Sequence, residues 1–455
     1  MPAGPPDLTP SDHFDAVVVG SGFGGAVTGY RLAEAGRRVC ILERGRAYPP
    51  GSFPRDPGGL SRNVWDPASG LYGMFDVWSF QGLEGLVSSG LGGGSLIYAN
   101  VLLRKPERWF VRENGNDGSY EYWPVTRGQL DPHYDAVEEM LGAQTYPFHT
   151  EPYSGTAKTD AMRQAAGRLG LEWELPKLAV TFANPGRPPV PGQVIEGGSR
   201  NLHGADRTTC RLCGECDFGC NYGAKNTLDY TYLSAAQEQG ADIRTFAEVR
   251  RLDRAPQAGY LVTYVTHDPA NPRPRAELPT TTLLADRLIL AAGTFGSPYL
   301  LLRNRSAFPA LSRALGTRFC GNGDLLTFII HTSARVDGES VPRPLTPSFG
   351  PVITSAIRVP DAVEGQGASG PGCYVEDGGN PAFLSWLLEA ASTPSATARL
   401  ARFGGSRVWA HLTRNPRSHS SAAIAGLLGG GTSSSTFLPV LAMGRDVADG
   451  TMSLR

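Results

Sequence analysis

Two sets of residues have types and spacings that do chemistry. The first is Gly20-Ser21-Gly22-Phe23-Gly24-Gly25, which fits G-x-G-x-x-G. In such a turn Gly20 permits a sharp bend and Gly22 lets backbone N–H groups approach a pyrophosphate. Gly25 lets the following helix lie close on the preceding strand. Glu43 follows Gly25 at nearly the interval, about 20 residues, at which an acid hydrogen-bonds a ribose diol. A glutamate there also argues against a 2′-phosphate, since two anions would meet. The set describes a dinucleotide site. The second set is Cys210-x-x-Cys213-x-x-Cys216-x-x-x-Cys220. This spacing wraps a [4Fe–4S] cluster in bacterial ferredoxins, although the fourth cysteine there precedes proline and here precedes Asn221. Four thiolates so close also suit Zn²⁺, without the separated pairs of a zinc ribbon. The third reading is a tight loop of reduced thiols packed as small apolar residues, or disulfides in an exported chain. All three stay open on sequence alone.

The elements that must position these residues follow from the flanking pattern. Ala16–Val19 is a β-branched run ending at glycine, which reads as a buried parallel strand. A helix from about Gly24 to Ala35 aims its positive end at the phosphates, and Arg38–Leu42 forms a second strand closed by Glu43. The expected second βα unit does not arrive. Residues 45–85 are instead rich in Gly, Pro and aromatics, which favours a flavoprotein whose sheet is completed later over a nicotinamide domain. Tyr72, Phe75, Trp78 and Phe80 fit either a core or a flavin-lining role. A second glycine-rich element, Gly90 to Asn100, places bare backbone beside a flat ligand, and alternation in the β-like run after it puts Tyr98 and Asn100 on one face.

Further along, helices are predicted at Ala157–Gly170 and Leu228–Gln239, and strands at Asp242–Glu248, Tyr260–Thr266 and Leu283–Ala292. The run Ala291 to Pro298 leads into a helix expected from Tyr299, because proline suits a first turn. Beyond Phe308 the pattern is α+β, with strands near Leu325–Thr332 and Pro351–Val359 and helices near Ala382–Ala391 and Ser395–Phe403. Val447–Leu454 reads as a hairpin turning at Asp449-Gly450.

Composition bounds the class. The chain has 455 residues, 41% hydrophobic and 19% charged, as expected of a globular protein of two or more domains. A net charge of −1 gives no sign of a nucleic-acid or anionic-membrane partner. The start lacks a basic n-region and an apolar h-region, and no apolar run is long enough to span a bilayer. Seven cysteines, four of them clustered, suit a reducing compartment, so a cytoplasmic location is expected.

GSGFGG with its acid, GLGGGSLIYAN and AAGTFGSPYLLLRN occur in that order, and together they resemble the glucose–methanol–choline oxidoreductases, most closely the bacterial cholesterol-oxidase-like branch. The resemblance runs from Phe14 to the end. It implies an α/β plus α+β fold: a discontinuous Rossmann-like FAD domain of the glutathione-reductase type, and a substrate domain on a large β-sheet. The parts expected are FAD-binding residues 14–105 and 223–305, a cap region with the cysteine loop at 106–222, and a substrate domain at 306–455. By resemblance Gly20, Gly22 and Gly25 take the pyrophosphate and Glu43 the adenosine ribose. Gly92, Gly93, Gly94 and Ser95 lie along the flavin, Val249 meets the adenine, and Gly293 closes over the cofactor. Family members commonly carry Asn where this chain has Tyr98, and Asn100 is placed to take that role.

The implied reaction is hydride transfer from an alcohol CH–OH to the flavin, with a sterol or other bulky apolar alcohol as substrate and O₂ or an electron carrier as acceptor. The family's base is a histidine in a C-terminal His-Pro-x-Gly-Gly segment. None of the eight histidines here stands in that context, His411 and His419 included. The resemblance therefore predicts a C-terminally truncated chain. Glu376 is the one acid placed to shuttle a proton in steroid double-bond isomerisation, set against a solvated turn residue. Two alternatives accompany this reading: an iron–sulfur flavoprotein dehydrogenase, and an inert FAD-binding remnant.

Overall fold

Two sheets carry the fold, and each draws strands from distant parts of the sequence. The structure, a computed structural model, describes residues 12–113, 119–329, 332–365, 370–381 and 438–454. Its first half contains β1 (His13–Val19), α1 (Phe23–Glu34), β2 (Val39–Leu42), β3 (Phe75–Ser79), β4 (Glu84–Ser88), α2 (Ala157–Leu169) and β5 (Glu172–Glu174). Then come α3 (Tyr232–Glu238), β6 (Asp242–Arg244), β7 (Ala247–Arg254), β8 (Tyr260–Thr266), β9 (Thr280–Leu290) and α4 (Gly293–Arg303). The later strands of the second sheet are β10 (Leu325–Ile329), β11 (Ala356–Val359), β12 (Cys373–Asp377) and β13 (Leu438–Gly444).

The first sheet has the order β6-β2-β1-β9-β8-β7. β6, β2, β1 and β9 run parallel, and β9, β8 and β7 form an antiparallel meander. β2 and the Ala16–Val19 end of β1 are apolar because both faces are covered. Val18, Val39 and Ile41 pack with Ala26 and Ala33 of α1 and Leu233 and Ala236 of α3. Val17, Cys40 and Leu42 pack on the other side with Leu252, Val262, Leu283 and Leu300. The third parallel strand of the dinucleotide unit, β6, thus enters only after the intervening chain, as a discontinuous flavoprotein sheet requires.

The second sheet is antiparallel in the order β5-β11-β12-β13-β10. α2 covers one face, where Met162 and Ala166 meet Ile357. Beneath it lies an ion pair with both side chains fully buried: Lys158 Nζ stands 3.4 Å from Asp377 Oδ2. The same ammonium donates to the carbonyls of Pro351 (2.8 Å) and Val352 (2.6 Å). Asp377 accepts backbone hydrogen bonds from Thr354 (3.0 Å) and Ser355 (2.6 Å). Because β5 lies within the 106–222 stretch, that region and the one after residue 306 share a single sheet.

Some local expectations are corrected. α4 begins at Gly293 and carries Pro298 inside, with Ser297 Oγ accepting from Ala292 N at 3.0 Å. The Asp449-Gly450 hairpin does not form. Gly450 instead exchanges two 3.0 Å backbone hydrogen bonds with Phe319, and Met452 N donates to Gly316 O at 2.6 Å. A long-range partner outcompetes the local turn signal there, and the strand of this region is β13, upstream. The helices expected at Ala382–Ala391 and Ser395–Phe403 lie outside the described residues, as do His411 and His419. No helix among the described residues is long and apolar enough to cross a membrane.

Candidate active site

The dinucleotide turn is shaped by what a side chain would strike. Gly20 has φ 97°, and a Cβ on it would lie 2.5 Å from the Ala291 carbonyl oxygen. A Cβ on Gly25 would lie 1.9 Å from Gly20 O, so α1 can rest on this turn only with hydrogen at that position. Gly22 caps α1 and no side chain satisfies the first N–H groups of the helix. Those donors, at the positive end of the dipole, are available to an anion.

The second glycine element does not form the expected β-like run. Gly92 (φ 106°) precedes a single 3₁₀ turn, Gly93–Leu96, and Asn100 is itself left-handed at φ 71°. Strand alternation therefore does not relate Tyr98 to Asn100. The reason is the contact between the two glycine turns: a Cβ on Gly93 would lie 2.7 Å from Gly22 Cα, and an extended strand cannot curl that closely. Ser21 ties the turns together, a role its place as an "x" in the motif conceals. Its hydroxyl accepts from Gly92 N (3.0 Å) and donates to Glu43 Oε2 (2.6 Å). Gly45 N donates to the other oxygen of Glu43 at 2.8 Å, so the buried acid is held rigidly. Ser95 Oγ donates to Gly92 O (2.7 Å) and accepts from Leu228 N (3.1 Å), which makes it a brace for the turn.

A cavity of about 430 Å³ opens between these turns. Of the residues singled out from sequence, Gly20, Gly22, Glu43, Gly93, Gly94, Val249 and Gly293 line it. Gly25, Gly92, Ser95, Tyr98 and Asn100 are not among its lining residues. Arg44, Trp78, Glu248 and Phe295 also line it, and sequence reasoning gave no cofactor role to Arg44, Glu248 or Phe295. The β3–β4 hairpin forms one wall and is locked to α4, since a Cβ on Gly85 would lie 2.2 Å from the Phe295 ring. Trp78 stacks there on Phe80 and on Phe295, whose own rings are tilted with centroids 4.8 Å apart. Tyr72 and Phe75 are packing residues instead, against His267 and in the Tyr48–Phe53 cluster. Glu248 accepts from Arg250 (2.6 Å) and bonds His267 (2.7 Å). Burial opposes its ionisation, but these two partners outweigh that and hold its carboxyl below the usual range.

The donors suit a flavin dinucleotide. Bare backbone faces the cavity at both turns, and a fixed acid stands at the end of β2. The Tyr98 hydroxyl and both amide atoms of Asn100 are buried without a partner among the described residues.

The cysteine loop is a packing element. Cys210, Cys213, Cys216 and Cys220 border a void of only about 20 Å³. No group of three or more His, Cys, Asp or Glu among the described residues is arranged to hold a metal ion. Burial pushes the Cys210, Cys213 and Cys216 thiols up, as befits thiols packed in a closed loop. The iron–sulfur and zinc readings do not fit, and the reading as packed thiols does. The loop is clasped by Arg55, whose Nε donates to Glu215 (2.6 Å), and by Asn221, which bonds both backbone atoms of Phe53 (3.0 and 2.8 Å). Cys210 joins the aromatic core of Tyr146, Tyr153 and Phe182.

Glu376 is not a solvated turn residue. It lies in β12 between Ala356 and Leu441, fully buried, and neither carboxyl oxygen has a hydrogen-bond partner among the described residues. Burial, reinforced by Asp377 and Asp324, pushes its carboxyl up to about 8. Alternation along β12 puts Tyr374 and Glu376 on one face and Val375 and Asp377 on the face that α2 covers. Tyr374 packs on Trp109 (5.6 Å), so Glu376 points away from α2 into the side bearing the 100–110 segment.

Comparison with known proteins follows this geometry. Residues 14–320 match the family model described as GMC oxidoreductase. A cholesterol oxidase of Mycobacterium tuberculosis is 32% identical over 349 residues, 76% of this chain and 56% of that protein. A cholesterol oxidase of Acinetobacter baumannii is 30% identical over 68% of this chain and 54% of its own length. A 2-methyl-1,2-propanediol dehydrogenase of Mycolicibacterium austroafricanum is 25% identical over 65% of this chain and 51% of its own. The chain spans about half the length of the curated relatives it matches.

Proposed function

The chain belongs to the GMC oxidoreductase family, and from that premise we propose that it binds FAD and oxidises the CH–OH group of a bulky apolar alcohol, a sterol first among them. The observation that carries the reading is the pair of glycine turns meeting around one cavity, so close that a Cβ on Gly93 would lie 2.7 Å from Gly22 Cα. Bound there, the flavin supplies the acceptor for a hydride from the alcohol carbon, and O₂ or an electron carrier reoxidises it. Gly20, Gly22 and the N-terminus of α1 hold the pyrophosphate. Glu43, fixed by Ser21 and Gly45, takes the ribose, and the backbone of Val249 takes the adenine. Gly93 and Gly94 bring bare peptide against the ring system, and Gly293 with Phe295 closes the wall.

The relatives named as cholesterol oxidases support a sterol. Glu376 supports a second step on a steroid product. A carboxyl raised to about 8 keeps its proton in the apolar interior, and once ionised it is basic enough to move a proton beside a ketone and return it along the conjugated system. No observation favours the iron–sulfur alternative. The test is the visible spectrum of the purified protein with FAD, recorded anaerobically before and after cholesterol. A flavin spectrum that bleaches supports the assignment. A flavin spectrum indifferent to cholesterol but bleached by a smaller diol removes the sterol, and a protein that takes up no FAD removes the whole reading.

A further inference from the structure

Two lysines are buried in this molecule, and they are neutralised differently. Lys158 has a carboxylate beside it, Asp377. Lys225 is 1% exposed and forms no ion pair among the described residues; its ammonium donates only to carbonyls, those of Leu96 (3.1 Å), Tyr98 (2.6 Å) and Cys216 (2.9 Å). Three donors meet three acceptors, so its hydrogen bonding is complete while no carboxylate among the described residues pairs with it directly. An ammonium buried without a counter-charge is costly, and it needs a compensating role.

Position supplies that role. Leu96 and Tyr98 flank Ile97, which lines the cofactor cavity together with Gly93 and Gly94. Lys225 therefore grips, from behind, the peptide segment that faces the cavity, and it lies 4.8 Å from the Tyr98 ring centroid. The segment it belongs to is stitched to the same turn a second time, through Leu228 N and Ser95 Oγ. Nearby, the half-buried Asp217 has an oxygen, Oδ1, with no hydrogen-bond partner among the described residues. Burial holds Lys225 down to about 8 and Asp217 up to about 6, each opposed by the charge of the other.

We propose that Lys225 is a charge-balancing, positioning residue: it fixes the Leu96–Tyr98 segment and provides the positive charge that offsets negative charge gained by a flavin lying on that segment. The proposal rests on the FAD reading above. It is tested with sulfite, whose sulfur lone pair adds to oxidised flavin and leaves a net negative charge on the ring, read as loss of visible absorbance.

In the FAD-loaded chain, Lys225→Met is expected to retain flavin but bind sulfite roughly tenfold more weakly, the scale of one unit charge in a poorly screened site. Lys225→Arg should stay within about threefold of the parent, because the charge remains. Asp217→Asn removes a negative neighbour and should tighten sulfite binding by roughly threefold. Flavin-loaded Lys225→Met with parental sulfite affinity overturns the proposal. If Lys225→Met does not fold, Asp217→Asn decides alone, and unchanged or weaker sulfite binding by it overturns the proposal. A parent chain that takes up no FAD overturns the flavin reading itself, a result distinct from a flavin-bound protein whose sulfite affinity ignores Lys225.

Discussion

Glu376→Gln should abolish a pH dependence of stability that the parent protein carries. The parent carboxyl is raised from 4.5 to about 8, chiefly by burial. The unfolded chain therefore ionises first as pH rises. Stability from this group is complete below about pH 4.5, falls between there and about 8, and is constant above. At about 1.4 kcal/mol per tenfold change, the span corresponds to an upper bound of about 5 kcal/mol. Glutamine cannot ionise, so the variant lacks this slope whatever constant penalty its amide introduces. The assay is urea unfolding followed by circular dichroism at several pH values from about 5 to 8. The stability difference between parent and variant should move by several kcal/mol in the variant's favour across that range. Curves that stay parallel within about 0.5 kcal/mol would show that the carboxyl reaches solvent or a partner, and the placement of Glu376 as a proton-holding acid would fail with them.

Other perturbations follow from the same geometry. Gly93→Ala puts a methyl 2.7 Å from Gly22 Cα at φ 53°, so the two turns must part; fluorescence titration should show FAD binding weakened by at least about tenfold. Ser21→Ala removes the hydroxyl that joins Glu43 to Gly92 and should weaken FAD binding by about 1–2 kcal/mol in the same titration. Lys158→Met strands the buried Asp377 carboxylate and should cost about 3–5 kcal/mol in urea unfolding, part of it regained in Lys158→Met with Asp377→Asn, whose uncharged amide oxygen can still accept from Thr354 and Ser355. Elemental analysis of the purified protein should find iron and zinc substoichiometric, since the four loop cysteines form no ligand group; a stoichiometric metal would reverse that conclusion.

What the sequence disclosed was local and periodic. The strand–turn–helix of Val19, Gly20, Gly22 and Gly25 is legible because each glycine answers a steric demand within the motif. The meander strands at Tyr260–Thr266 and Thr280–Leu290 announce themselves by apolar patterning. Ser21, Phe295 and Lys225 were not legible, because what gives each its role is contact with a segment remote in sequence: Gly92, Gly85 and Tyr98. The 3₁₀ turn at Gly93–Leu96 is hidden for the same reason, since the approach of Gly22 that accompanies it comes from a segment remote in sequence. Glu376 sits in a strand whose neighbours, Ala356 and Leu441, come from either side of it in the sequence, and a window of a few residues cannot reveal such burial.

The central position of β1 constrains how the chain can fold. Its neighbour β9 pairs His13 with Leu284 and Val19 with Leu290, so the nucleotide-gripping end of the protein leaves the ribosome long before its partner exists. At 5–20 residues per second that interval is roughly 14–54 s, during which an apolar, β-branched segment has β2 beside it but lacks the neighbour on its other edge. Native structure at the amino end is thus a late event in synthesis, complete only once residues 284–290 have emerged to close the open edge of β1.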